Sequence, residues 1–187
     1  MTRHTRLLQS LKHARAKSDQ EQRHIEAMIA LCATPRPYDR NQFEPGHFTA
    51  SAFVLSPDQS ALLLIFHGKL KRWLQPGGHV EPDDVDLRAA VLREVHEECG
   101  LAPSALRFMD DEPLDWDVHT IPARGSEPAH AHYDVRYLLH AQSDKAQAGS
   151  DAKALRYVPL DQVAQIESDA SVMRAVRTIQ KRLAADP

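Results

Sequence analysis

Residues 77–101 read GGHVEPDDVDLRAAVLREVHEECGL, a glycine-rich turn followed by a segment that carries three closely spaced glutamates. At about 100° of rotation per helical residue, Glu94, Glu97 and Glu98 fall within an arc of roughly 100°. Apolar side chains repeat every four residues on the opposite side, at Leu87, Val91, Val95 and Cys99. The stretch therefore predicts a helix over residues 85–99, with one face packed on a core and an acidic face lining a cleft.

Three carboxylates at these spacings repel one another, and Arg93 can offset only part of that repulsion from its position four residues before Glu97. A bound cation would remove the remaining repulsion. Carboxylate oxygens suit Mg²⁺ or Mn²⁺, which bridge readily to substrate phosphates. The stretch therefore predicts a site for a divalent cation and a phosphate chain.

These residues resemble the Nudix family of hydrolases. The second half of the family's box, from Arg-Glu to the final glycine and apolar residue, is matched in full from Arg93 to Leu101. In the first half Gly78 is present, but Asp84 stands where the family has glutamate, and eight residues instead of seven separate it from Arg93. The lead-in over residues 73–78 also looks like the family.

The resemblance implies an α/β fold, a Nudix-type α/β/α sandwich with a mixed sheet. It also implies cleavage of a diphosphate bond in a nucleoside diphosphate linked to another group. On this resemblance Mg²⁺ or Mn²⁺ is held by glutamates and a backbone carbonyl, and an arginine orients a glutamate. Carried onto this sequence, these roles fall on Glu94, Glu97, Glu98, the carbonyl of Gly78 and Arg93, with Asp84 as a further candidate ligand.

Two predicted strands beyond the helix carry an unusual number of polar residues. Strand alternation places Asp115, Asp117 and His119 on one face of the first, and His130, His132, Asp134 and Arg136 on one face of the second. If these faces pair, they form a polar wall. Three interpretations stay open: a substrate-pocket wall that includes His119, His132 and Asp134, a transition-metal site, and a solvated outer face.

The loop between these strands, residues 122–128, contains one acid, Glu127. Several Nudix enzymes take a general base from a loop beyond the box, so Glu127 is a catalytic candidate. The alternative is a surface loop, with a box glutamate as the base. Arg124 is a candidate for holding a substrate phosphate, and Gly125 would permit the loop to close.

The predicted organisation is a helical arm with a Pro-containing linker over residues 1–45, followed by a Nudix hydrolase domain over residues 46–187. Apolar residues at helical spacing, such as Leu7, Leu11, Ile25 and Ile29, give the arm an apolar face. We expect this face to dock on the domain or on a second copy in a homodimer, because its exposure would favour aggregation.

The composition favours one domain that binds small molecules. The chain has 187 residues, 42% of them hydrophobic, and a net charge of −3. This charge gives no reason to expect nucleic acid or an anionic membrane as a partner. Two cysteines on apolar helix faces, Cys32 and Cys99, are expected to be free thiols in a reducing cytoplasm. The expected partner is therefore a nucleotide or another small diphosphate.

One functional alternative comes from a different class of protein. A Nudix-like module could bind a nucleotide without turnover, as a sensor or a partner-binding protein. The presence of Glu94, Glu97 and Glu98 favours turnover.

Overall fold

The computed structural model describes residues 1–68, 70–149, 152–166 and 168–185. The chain forms two compact units. Unit 1 consists of residues 1–50, 78–91 and 115–136, and unit 2 consists of residues 51–77, 92–114 and 137–187.

Within the described residues there are four α-helices and eight strands. The helices are α1 (Arg3–His13), α2 (Asp19–Cys32), α3 (Leu87–Cys99) and α4 (Ala170–Ala185). The strands are β1 (His47–Leu55), β2 (Ala61–His67), β3 (Arg72–Leu74), β4 (Gly77–His79), β5 (Leu106–Phe108), β6 (Asp115–Ile121), β7 (His130–Ala141) and β8 (Ala152–Pro159). The helix predicted over residues 85–99 is present as α3, the predicted helical arm contains α1 and α2, and the two predicted polar strands are β6 and β7.

The two helices of unit 1 start at side-chain caps. Thr2 accepts a hydrogen bond from the Thr5 amide at the start of α1, and Ser18 accepts one from the Glu21 amide at the start of α2. Such caps satisfy backbone donors that have no partner within the helix. α1 packs on α2, and α2 packs on β6. The helices bury the apolar residues Leu7, Leu11, Ile25, Met28, Leu31 and Cys32.

Polar contacts also attach α1 to the segment before α3. The Arg3 guanidinium donates to the carbonyl of Glu81 at 2.6 Å and to that of Asp84 at 3.1 Å. Arg6 pairs with Asp86 at 2.7 Å. The N-terminal helices are thus an integral part of unit 1.

The core of unit 2 lies between strands and α4. β2 pairs antiparallel with β1, β3 and β8. Alternate residues of β1 and β2 join one buried cluster with residues of α4. The cluster includes Phe53, Leu55, Leu62, Leu64, Leu138, Val158, Val172, Val176 and Ile179. Also within unit 2, β5 pairs antiparallel with the end of β7, and within unit 1 β6 pairs antiparallel with the start of β7.

The division into an arm over residues 1–45 and a domain over residues 46–187 stays a prediction. Residues 186 and 187, the end of the predicted domain, lie outside the described residues. Within the described residues, no helix has both the length and the apolar character that crossing a membrane requires.

We predict that Leu11→Ala, at a side chain only 1% exposed, lowers the free energy of unfolding by about 2–5 kcal/mol because it leaves a cavity beneath α1. Denaturant unfolding monitored by circular dichroism measures the change. The neighbouring exposed Lys12 provides the control, since Lys12→Ala should change stability by less than about 0.5 kcal/mol. Equal stability of Leu11→Ala and the unmodified chain would show that the arm does not contribute to the core.

Candidate functional site

Helix α3 presents an acidic face because its apolar residues are buried on the other side. Leu87 is 3% exposed, and Val91, Val95 and Cys99 are fully buried. The helix begins two residues later than predicted, since the Asp86 carboxylate accepts the Ala89 amide at 2.9 Å and caps the helix. It ends where Gly100 adopts a φ of 68°, a conformation that favours glycine.

Arg93 holds two of the glutamates. Its Nη1 lies 2.9 Å from Oε1 of Glu94 and 3.1 Å from Oε2 of Glu97. The Glu94 side chain is 12% exposed, and the Glu97 side chain is 55% exposed. One guanidinium thus fixes both carboxylates and offsets their repulsion.

Glu98 contacts the glycine turn. Its Oε2 accepts a hydrogen bond from the amide of Gly77 at 2.9 Å. Gly77 has a φ of 154°, which side chains rarely allow. Gly78, the predicted carbonyl ligand, follows it in β4. The third box carboxylate is therefore tied to the backbone of the turn that precedes the helix.

Asp84 occupies a turn that precedes α3. It is 7% exposed, and its Oδ2 accepts the amide of Glu81 at 2.7 Å. The Asp84 amide in turn donates to the Glu81 carbonyl at 3.1 Å. These bonds give Asp84 a local structural role in addition to its candidacy as a metal ligand.

The polar faces of β6 and β7 meet, as the strand alternation predicted. The antiparallel register places Asp115 opposite Arg136, Asp117 opposite Asp134, and His119 opposite His132. The members Asp115, Asp117, His130, Asp134 and Arg136 are all at most 8% exposed. The interpretation of this face as a solvated outer surface is therefore wrong, because its charged members lie inside unit 1.

Arg136 joins the carboxyl groups of this face. Its guanidinium lies 2.8 Å from Asp134, 2.9 Å from Asp117 and 3.3 Å from Asp115. Burial works against its charge, but the three carboxyl groups together hold the pKa of Arg136 above its ordinary value. Thr49 extends this group, because its hydroxyl donates to Asp134 at 3.1 Å.

Five histidines of unit 1 lie together beside the Arg136 group. The ring of His132 lies 4.8 Å from that of His47, 5.1 Å from that of His130, 5.3 Å from that of His79 and 5.7 Å from that of His119. Burial first, and then the neighbouring histidines, lower the pKa of His132 to about 2. Burial also lowers the pKa of His47. His132 is therefore a neutral imidazole at physiological pH.

His47 was not identified by the sequence reasoning. It opens β1, is fully buried, and its Nδ1 lies 3.2 Å from the carbonyl of Gln42. The preceding Gly46 has no side chain, and a Cβ there would lie 2.1 Å from the Ala131 carbonyl oxygen, so only glycine lets these backbones approach. The alternation of His47 and Thr49 along β1 is the signal that could have indicated a polar buried face.

The loop between β6 and β7 is a tight turn. Backbone bonds of 2.8 and 2.9 Å join Arg124 and Glu127 in both directions around Gly125, whose φ is 57°. Both side chains are exposed. The structure thus fixes the backbone of the two candidates and leaves their side chains in solvent.

A pocket of about 610 Å³ lies in unit 1. Its lining includes Arg3, Tyr38, Arg40 and His79, and it contains none of the predicted substrate-binding residues. Arg3 stacks over the ring of Tyr38 at 4.6 Å and donates to backbone carbonyls, so its charge is already engaged.

The structure is thus an α/β protein in which an ordered set of helix carboxylates lies beside a glycine turn. A family model described as NUDIX domain matches residues 45–177. The chain belongs to this family, as the box residues predicted.

Individual relatives agree with this assignment. A curated protein of Lactococcus lactis subsp. cremoris (strain MG1363), named as a probable DHNTP pyrophosphohydrolase, is 30% identical over 144 residues, which are 75% of this chain and 81% of the relative. A C. elegans Ap4A hydrolase structure is similar with a TM-score of 0.55 at 19% identity, over 74% of this chain and 98% of that one. The E. coli dihydroneopterin triphosphate pyrophosphohydrolase has a TM-score of 0.56 at 15% identity, over 69% and 91%. These structures confirm the predicted fold class.

We predict that Arg136→Met lowers the free energy of unfolding by about 3–5 kcal/mol, because it leaves three buried carboxyl groups without their guanidinium. Urea unfolding at neutral pH measures the loss. Arg124→Met, at an exposed position, is the matched control and should be neutral within about 0.5 kcal/mol. A stable Arg136→Met protein at pH 7 would contradict the view that this guanidinium holds the pair of strands.

Proposed function

We propose that this protein is a metal-dependent pyrophosphohydrolase that cleaves a diphosphate bond in a nucleoside diphosphate linked to another group. The observation that carries the proposal is the ordered acidic face of α3. Arg93 holds Glu94 and Glu97, and the Gly77 amide holds Glu98. Membership in the Nudix family and the relatives named as pyrophosphohydrolases support the same reaction class.

The donor atoms of this face fit a hard cation. All three side chains offer carboxylate oxygens, which Mg²⁺ and Mn²⁺ prefer. We propose Glu94, Glu97 and Glu98 as the ligands, with the Gly78 carbonyl and Asp84 as further candidates. When bound, such a cation neutralises diphosphate charge and lowers the pKa of a bound water. Arg93 keeps the carboxylates oriented before the substrate arrives.

The relatives differ in the group outside the diphosphate. One is named for DHNTP and another for Ap4A, and a triphosphate or polyphosphate chain is common to both. We propose a nucleotide or a related small diphosphate as the substrate, with Arg124 as the candidate phosphate contact. His119, His132 and Asp134 are weaker candidates, because Asp134 is bonded to Arg136 and Thr49, and His132 lies among other histidines.

We propose a reducing, cytoplasmic location for the protein. Cys32 and Cys99 are buried free thiols. Burial raises the pKa of Cys32 to about 11 and that of Cys99 to about 12, so both remain protonated and unreactive.

We predict that Glu97→Gln and Glu98→Gln each lower kcat at least about a hundredfold, because each removes an anionic ligand while leaving the fold intact. The assay uses a panel of nucleotides and related diphosphates with Mg²⁺ or Mn²⁺, and it reads the phosphate that a coupled phosphatase or pyrophosphatase releases from the products. The control is Glu26→Gln on α2, which should keep full activity. Unchanged turnover in either box variant, or full activity in EDTA, would refute the hydrolase assignment.

We propose two alternatives for the general base, a box glutamate and Glu127. The Glu127 side chain is exposed, on a turn whose backbone is fixed by the Arg124 bonds.

If Glu127 is the general base, Glu127→Gln lowers kcat about a hundredfold. It also removes the acidic limb of the pH profile, with little change in metal affinity. Steady-state kinetics across pH, with metal titrations alongside, make the measurement. Exposed Glu112→Gln is the control for a change of surface charge. Wild-type kcat in Glu127→Gln would assign the role to Glu94, Glu97 or Glu98.

A further inference from the structure

We propose that His47, His130 and His132 form a binding site for a divalent transition-metal ion of the Zn²⁺ type. One ring nitrogen from each of the three lies within 4.8 Å of the others. The cation proposed for the diphosphate chemistry is held by carboxylates of α3, so this second ion has different ligands and a different donor atom.

Hydrogen bonds fix the tautomers of two of these rings. Nδ1 of His47 faces the carbonyl of Gln42 at 3.2 Å, and Nδ1 of His130 faces the carbonyl of Pro128 at 2.8 Å. A carbonyl only accepts, so each Nδ1 carries the hydrogen and each Nε2 carries a lone pair. A carbonyl behind the ring is the usual second partner of a metal-binding histidine.

The buried nitrogen of His47 supports the same conclusion. His47 is fully buried, and its Nε2 has no hydrogen-bond partner among the described residues. Buried polar atoms are rarely left in this state, and one explanation is an ion that binds there. Gln42 keeps the ring in place, since its side chain donates to the Gly46 carbonyl at 2.8 Å while its own carbonyl faces His47.

The spacing of the other two nitrogens suits a tetrahedral ion. Nε2 of His130 lies 3.3 Å from Nε2 of His132. Two nitrogens bound at about 2.0–2.1 Å to a tetrahedral Zn²⁺ lie about 3.3 Å apart. A small movement of the His47 ring would complete a set of three imidazoles.

The chemistry of the donors selects the ion. The three ligands are imidazoles, and the carbonyls that face Nδ1 of His47 and of His130 leave a lone pair on Nε2 of each ring. Neutral imidazole binds Zn²⁺, Co²⁺ or Cu²⁺ and has little affinity for Mg²⁺. A fourth position is left for water or for a neighbouring histidine such as His79. The ring of His79 lies 5.1 Å from that of His47.

The test uses the full-length chain, freed of metal by EDTA and dialysis and then titrated with Co²⁺ as a spectroscopic probe. We expect one strong site with the intense visible absorption of tetrahedral cobalt, displaced by an equivalent of Zn²⁺. X-ray absorption of the Zn²⁺-loaded chain should show at least three nitrogen ligands at about 2.0 Å. A metal shell made only of oxygen, or the weak spectrum of octahedral cobalt alone, would overturn the proposal.

Variants separate this site from the proposed active site. His47→Gln and His132→Gln should each weaken Zn²⁺ binding by tenfold or more. His13→Gln, at an exposed histidine of α1, should bind Zn²⁺ with the same affinity as the unmodified chain. The Glu97→Gln and Glu98→Gln variants should keep the cobalt spectrum, so failure of the hydrolase proposal leaves this result unchanged. Loss of the spectrum in the glutamate variants and its retention in the histidine variants would refute the site.

Discussion

The buried guanidinium of Arg136 sets the constraint on which unit 1 depends. Its bonds reach carboxyl groups on both β6 and β7. A shift of one residue in the register would turn these groups to the opposite face and bring Trp116 and Val118 into their place. Such a shift would leave a charge unpaired in the interior. The ion pairs of Arg136 therefore favour the observed register over registers shifted by one residue.

That register also brings the histidines together. Because Asp117 pairs with Asp134, His119 lies opposite His132. His130 lies two residues before His132, on the same face of β7. Gly46 then allows the start of β1 to approach β7 closely enough for His47 to join. The histidine cluster is therefore a consequence of strand pairing and of one glycine.

The acidic helix depends on a different kind of interaction. Its carboxylates converge because residues three and four apart share a helix face, and Arg93 bonds two of them from its own position on the same helix. A buried charge network and a partly exposed set of carboxylates thus coexist in one chain. The first stabilises the fold, and the second stays accessible to solvent.

The sequence by itself indicated the Nudix family through its resemblance to the family's box. Local helical spacing predicted α3, apart from its first two residues, and the shared face of Glu94, Glu97 and Glu98. The sequence also determined the alternation that gives β6 and β7 a polar face. Only the tertiary structure decided that this face is buried and that His47 belongs to it. His130 and His132, whose rings lie beside that of His47, are more than 80 residues away from it in the sequence. Local periodicity carries no information on which strands pair, because pairing is selected by the burial and hydrogen bonding of the whole unit.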